Sequence, residues 1–257
     1  MSYVPVPDAP AIVVDDSILA VADLHIGLEA ALNESGVFLP SQTRKIGRRL
    51  RELLDTTDAK TLVLLGDVKH FIPGVSPLER RDIPIFFNEI ADAVDEIHIA
   101  AGNHDALIRP YVPEQVTIHK PTGFTIGNAG FVHGHAWPAK SVMESKVLLM
   151  GHNHPAVVFV DKLGGKQVQP CWVRAPFRRT HSRYPKMPRE AVCVPSFNEL
   201  CGGTPVNAAR ARLLGPLMQP DVVNLDGARL HLLDGTDLGP LPALRVEARL
   251  RWSDYRQ

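Results

Sequence analysis

Short apolar runs separated by polar turns set the rhythm of the first half of the chain. Ala11–Asp15 and Ile18–Asp23 are two such runs, and Asp16-Ser17 between them has turn composition, so a β-hairpin is expected. Ile46, Leu50, Leu53 and Leu54 then recur at helical spacing, which predicts a helix from a Ser41 cap to about Asp58 with a basic outer face. Thr61–Leu65 is a compact buried-strand pattern that stops at Gly66. A second helix is expected over Pro77–Val94, with Pro84 marking an interruption or a late start. Glu96–Ala100 reads as another strand, ending before Gly102. Strand, helix, strand, helix, strand is the order of an α/β sheet with helices layered on it.

From Val116 onward the expected strands are shorter: Val116–His119, Gly130–His133, Val147–Met150 and Ala156–Val160. Leu163-Gly164-Gly165 has turn composition and leads into Gln167–Val173 as the second arm of a hairpin. Ala191–Pro195 follows, and another hairpin is expected around Asp226-Gly227 between Val222–Leu225 and Ala228–Leu232. Leu244–Trp252 reads as an exposed strand that could pair two copies into a homodimer. No internal repeat or compositional break divides the chain, so a single mixed α/β domain over residues 1–257 is expected, carrying a basic loop or insertion at about 171–190.

Composition narrows the class. The chain is 45% apolar and 22% charged, the balance of a globular protein and not of a disordered or coiled-coil one. No apolar run approaches the roughly 18 residues a membrane-spanning helix needs, and the N-terminus lacks the basic start and apolar stretch of a secretory signal. Cys171, Cys193 and Cys201 form no CxxC pair, which suits a reducing compartment, so a cytoplasmic location is expected. With 28 Lys+Arg against 28 Asp+Glu the surface as a whole does not attract nucleic acid, although local patches can. The unusual component is histidine, with 11 residues beside only 6% aromatics.

Five polar segments follow hydrophobic runs: Asp23-Leu24-His25, Gly66-Asp67-Val68-Lys69-His70, Gly102-Asn103-His104-Asp105, His133-Gly134-His135 and Gly151-His152-Asn153-His154. Open α/β sheets bind ligands outside the carboxyl ends of their strands, so these loops can converge on one crevice. Asp23 and His25 share a face if strand geometry persists through them, and His152 and His154 have the same spacing. Glycines 66, 102 and 151 allow sharp turns and close backbone approach. Singly, Asp67 and Asn103 are ordinary Asx-turn residues, Asp23 a turn-capping carboxylate and His25 a hydrogen-bonded histidine. Their occurrence together, with His25, His104, His133, His135, His152 and His154 all inside the segments, favours one site. His98, His119 and His231 lie within strand-like runs and read as packed or surface side chains.

In order and type these segments resemble the calcineurin-like metallophosphoesterases, whose pattern is DxH, GDxx, GNHD/E, a lone His and GHxH. The wording ADLHIGLE, LLGDVKH, HGHAWP and GHNHP is most similar to a branch of bacterial and archaeal phosphoesterases, some associated with DNA-repair genes, and Pro195–Asn207 is similar to its tail. The resemblance implies a four-layer αββα sandwich of two mixed β-sheets with helices outside. It implies that Asp23, His25 and His154 hold one divalent metal, that Asn103, His133 and His152 hold a second, and that Asp67 bridges them. Such a pair supplies the nucleophile and neutralises phosphoryl oxygens. Mixed imidazole and carboxylate donors suit Mn, Fe, Zn, Co or Ni better than Mg or Ca, and Mn2+ is the favoured expectation. By the same resemblance His104 stabilises the phosphoryl group or protonates the leaving oxygen, Asp105 orients His104, and His135 neighbours the cluster. Lys69 and His70, after the bridging Asp67, are candidate substrate contacts.

Between Cys171 and Arg189, Arg174, Arg178, Arg179, Arg183, Lys186 and Arg189 form a basic stretch without an acid, interleaved with Trp172, Phe177 and Tyr184. Arginine forks bind phosphates and aromatics stack bases, so Arg178 and Arg179 could hold a nucleotide or single-stranded nucleic acid; a solvated basic loop is the plainer alternative. The activity expected is therefore phosphodiester hydrolysis. The alternatives are monoester hydrolysis of a small metabolite, and nucleic-acid binding with a structural or inactive metal site.

Overall fold

The computed structural model describes residues 1–209 and 211–246, so the strand expected over Leu244–Trp252 lies largely outside the described residues. A six-stranded sheet is built from β1 (Tyr3–Pro5), β2 (Ala11–Val14), β3 (Ile18–Val21), β4 (Thr61–Leu64), β5 (Glu96–Ala100) and β6 (Thr117–His119), in that spatial order. β1 to β3 are antiparallel, whereas β3 to β6 run parallel. The β2–β3 hairpin closes through Asp15 and Asp16, both left-handed at φ 48° and 56°, as the twist of a tight hairpin favours.

Helices α1 (Leu28–Glu34), α2 (Thr43–Thr57) and α3 (Pro77–Ile90) lie in the connections of this sheet. α2 starts just beyond the expected cap, and the Ser41 hydroxyl accepts the Thr43 N–H at 3.3 Å. Pro84 does not interrupt α3. Ser76 and Glu79 close a capping box at its start, and the fully buried Ile83, Phe86, Phe87 and Ile90 outweigh the roughly 3 kcal/mol cost of an interior proline.

The second sheet contains β7 (Phe124–Ile126), β8 (Ala129–Val132), β9 (Val147–Met150), β10 (Pro155–Val160), β11 (Lys166–Pro176), β12 (Glu190–Cys193) and β13 (Thr204–Pro205), ordered β13-β10-β11-β12-β9-β8-β7. The long β11 also pairs with β14 (Arg229–Leu232), which pairs with β15 (Asp237–Pro240). The expected hairpin around Asp226-Gly227 is therefore displaced. Leu225–Gly227 is a 3-10 turn, and the hairpin turns later, where Asp234 Oδ1 accepts the Thr236 N–H at 2.8 Å.

Alternation along the strands divides the core into layers. Ile18 and Ala20 face the second sheet and meet Phe131, Leu149, Trp172 and Val192. Leu19 and Val21, one residue out of phase, face Ile46, Leu50, Phe86 and Phe87 of α2 and α3. The far side of the second sheet is covered by the one-turn α4 (Lys140–Met143) and by coil carrying Tyr184, Leu217, Met218 and Val222. The result is the expected α/β sandwich of two mixed sheets with helical layers. No helix among the described residues is long and apolar enough to cross a membrane.

This topology gathers the polar segments. β3, β4 and β5 run parallel in one sheet, as do β8, β9 and β12 in the other. Asp23, Asp67 and Asn103 follow the first three strands, and His133, His152 and the Ser196–Cys201 segment follow the second three.

Candidate metal centre

Strand geometry does not persist through Asp-x-His. Asp23, His25, Asp67, His152 and His154 all adopt left-handed backbone, with φ of 57°, 42°, 50°, 71° and 41°. Each such residue costs about 1–3 kcal/mol, and neighbouring loops hold it there. The Asp23 N–H donates to the Gly66 carbonyl (3.2 Å) and the His25 N–H to that of Asp67 (2.9 Å). Both Asp23 carboxylate oxygens accept the His152 N–H, at 3.2 and 3.1 Å. Gly102 is required by proximity, because a Cβ there would lie 2.1 Å from Asp67 Oδ1.

The seven residues named as ligands converge. His154 Nε2 lies 3.4 Å from Asp23 Oδ1 and 3.3 Å from His25 Nε2, which is itself 3.7 Å from Asp67 Oδ2. On the other side, His133 Nε2 faces Asp67 Oδ2 at 3.3 Å, Asn103 Oδ1 at 3.1 Å and His152 Nδ1 at 3.0 Å. Asp23, His25 and Asp67 form one group able to share an ion, and Asp67, His133 and His152 another, so Asp67 belongs to both. The donor chemistry fits divalent cations. One N–H at His133 can serve one acceptor, whereas three face it.

Charge follows the same geometry. Burial and the neighbouring His154 push His25 down to about 3, and burial with His133 pushes His152 down to about 4, so both are neutral donors near pH 7. Burial opposes charge on His133 as well, but Asp67 raises it to about 9; a cation at Asp67 would displace that proton. Burial would raise Asp67, yet the surrounding imidazoles hold it well below the usual carboxylate range. His133 Nδ1 donates to the Leu65 carbonyl at 2.8 Å, leaving Nε2 for the centre.

His104 lies at the edge, with Nε2 3.9 Å from Asp67 Oδ2. Its Nδ1 donates to the His70 carbonyl, and its ring stacks on that of His70 at 5.5 Å. The expectation that Asp105 orients His104 is corrected by these bonds. Asp105 Oδ2 accepts the N–H groups of Asp67 (2.9 Å) and Gly102 (2.8 Å), and Oδ1 those of Val68 (2.8 Å) and Lys69 (3.4 Å). The buried carboxylate therefore clamps the loop of Asp67, and burial with the nearby Asp67 charge raises its pKa.

The other candidates divide. His70 Nδ1 lies 3.2 Å from His25 Nδ1, placing His70 behind the His25 ring. Lys69 is fully buried with its Nζ on the Phe71 carbonyl, so it faces the loop interior and not a substrate. His135 packs 5.2 Å from His133, and its buried Nδ1 has no partner among the described residues. Arg178 and Arg179 are exposed, and Arg178 Nε donates to the Pro220 carbonyl at 3.0 Å. The part of the basic stretch that reaches the site loops is Arg183, 5.1 Å over the Trp137 ring, with the Tyr184 hydroxyl donating to the Pro138 carbonyl at 2.8 Å.

Sequence reasoning left Ser196, Asn198 and Cys201 without a role. The Ser196 hydroxyl donates to the Asp23 carbonyl (3.0 Å), and Asn198 Nδ2 to that of Leu24 (2.8 Å). Asn153 likewise brackets Leu214, accepting its N–H at 2.7 Å and donating to its carbonyl at 3.2 Å. The signal available was the cluster of small and amide residues in PSFNELCGG, which does not reveal which backbone it binds.

Among known proteins, the calcineurin-like phosphoesterase family model matches residues 17–172. The crystal structure of the Pseudomonas putida nuclease MPE is similar, with 20% identity and a TM-score of 0.53 over 92% of this chain and 100% of that one. Yfce, a phosphoesterase from E. coli, aligns over 56% of this chain and 73% of its own, with 22% identity and a TM-score of 0.35. No functionally curated protein matches.

Proposed function

The chain belongs to the calcineurin-like phosphoesterases, a family of metal-dependent hydrolases, and on that premise we propose that it cleaves phosphodiester bonds of nucleotides or single-stranded nucleic acid. The observation that carries this reading is the pair of ligand groups sharing Asp67 at the strand ends of both sheets. Asp23, His25, Asp67 and His154 would hold one divalent cation, and Asp67, Asn103, His133 and His152 the other. When bound, such a pair supplies Lewis acidity and an activated water at neutral pH. His104 is placed to act on the substrate. The His70 carbonyl fixes its Nδ1–H, so its Nε2 can give a hydrogen bond to a phosphoryl oxygen or a proton to the leaving oxygen when the ring is charged. Asp105 keeps Asp67 in place, making it a positioning residue.

Preference for a diester rests on the rim. Arg183 over Trp137 offers a guanidinium and an aromatic ring beside the loop of His133 and His135, suited to a second phosphate or a base. The nuclease activity named for the Pseudomonas putida relative and the resemblance to a branch associated with DNA-repair genes support the same direction. With imidazole and carboxylate donors alone, Mn2+ would be the ion expected to serve first, and three unpaired cysteines suit a cytoplasmic location.

The test is hydrolysis by the full chain loaded in turn with Mn2+, Co2+, Ni2+ and Zn2+. Turnover of bis-p-nitrophenyl phosphate exceeding that of p-nitrophenyl phosphate is expected. Turnover of the monoester alone would make the protein a phosphomonoesterase, and inactivity with every ion would leave a binding protein.

A further inference from the structure

Cys201 sits where its sulfur can join the first of these metal positions. Its Sγ and ring nitrogens of His25 and His154 lie within 4.8 Å of one another, and the two histidine Nε2 atoms are 3.3 Å apart. A thiolate bonds zinc at about 2.3 Å and an imidazole at about 2.0–2.1 Å, so sulfur and nitrogen on one ion are separated by about 3.6 Å at a tetrahedral angle and about 4.4 Å when opposed. The observed spacing needs only a small approach. We propose that Cys201 is an additional ligand at the metal position of Asp23, His25 and His154, and that its sulfur biases that position towards zinc, cobalt or iron over manganese. This rests on the two-metal reading above.

The surrounding segment supplies the rigidity a ligand needs. Phe197 N donates to the Ala22 carbonyl at 2.8 Å, Ser196 and Asn198 hold the carbonyls of Asp23 and Leu24, and the Thr204 N–H donates to that of His154 at 2.8 Å. Cys201 is therefore fastened to the loops of both Asp23 and His154, and its Sγ lies 3.8 Å from the Asp23 carbonyl oxygen. Gly203 permits the approach, since a Cβ there would stand 2.5 Å from that of Ala156. On ligation the S–H proton leaves to solvent as the sulfur–metal bond forms. Soft thiolate donors select zinc, cobalt(II) and iron over manganese, which imidazole and carboxylate alone discriminate less.

Cys171 and Cys193 are fully buried among the apolar side chains of the second sheet, so a thiolate signal from the centre can come from Cys201. The experiment titrates the metal-free full chain with Co2+, recording bound metal and near-ultraviolet absorption. A thiolate-to-cobalt charge-transfer band is expected in the wild type and absent from Cys201→Ser, with melting as the fold control and Cys201→Ala as a second variant. Zinc affinity of Cys201→Ser should fall about tenfold or more while manganese affinity changes less, given that even groups behind the ligands are worth about 10–100-fold. Two cobalt ions bound without the band, or a band that survives Cys201→Ser, overturns the assignment and leaves the two-metal reading standing. A chain that binds no cobalt overturns both.

Discussion

Replacing Asp105 by asparagine separates two roles for this residue. The carboxylate accepts four backbone N–H groups, two on each oxygen. An amide turns one of those oxygens into a donor, so two N–H groups lose their acceptor whichever way it is oriented. The less costly orientation keeps the amide oxygen on the Asp67 and Gly102 N–H groups at 2.9 and 2.8 Å, and sacrifices the pair that includes the longer 3.4 Å bond from Lys69. Each buried donor left unpaired costs about 1–3 kcal/mol. With one bond already long, a total of about 3 kcal/mol is expected, or about 6–12 °C in melting temperature for a chain of this size. Because the displaced loop carries Asp67, metal affinity should fall about 10–100-fold. The His104 ring is held by the His70 carbonyl, so turnover per metal-loaded enzyme should be retained. Thermal unfolding, metal titration and turnover at saturating metal check these outcomes together. A variant that melts and binds metal like the wild type but loses kcat would falsify the clamp and return Asp105 to His104.

Gly102→Ala should lose metal and melt lower by an amount equivalent to about 1–3 kcal/mol, because the new methyl would stand 2.1 Å from Asp67 Oδ1 and 2.4 Å from its backbone nitrogen; metal content and melting read this directly. Lys69→Met keeps the buried stem and removes an ammonium whose pKa burial already lowers, so KM for bis-p-nitrophenyl phosphate should stay within about twofold. A tenfold rise would put Lys69 back on the substrate. Arg183→Ala should raise KM for a dinucleotide about 5–30-fold and leave that for bis-p-nitrophenyl phosphate nearly unchanged, the loss expected of one desolvated cation–π and phosphate contact. Burial would raise the Glu190 carboxyl, but Arg174 and Tyr3 hold it below its ordinary 4.5. A folded value below the unfolded one stabilises fully above pH 4.5, and that contribution disappears as pH falls through the folded value. Glu190→Gln should therefore cost about 1 kcal/mol at pH 7 and progressively less below about pH 4, measured by urea unfolding against the wild type.

Much of the architecture is written locally. Apolar runs such as Ile18–Val21 and Thr61–Leu64 specify strands through their own side chains, and the polar residues of the candidate centre follow each run directly, so parallel strands carry them to one end. Ligand type is legible for the same reason, since carboxylate and imidazole cannot be exchanged for other groups without losing the chemistry. The helix through Pro84 was hidden because core burial, summed over residues far from the proline, overrides a local penalty. The shift of the last hairpin depended on β14 finding β11, an event between distant segments. Partners of the site residues were hidden more deeply. His104 is held by a carbonyl of His70, Asp105 by the N–H groups of four residues, and Cys201 by loops that begin at Asp23 and His154. Backbone atoms are the same at every position and leave no mark in a sequence. Only the folded chain determines which of them a given side chain meets.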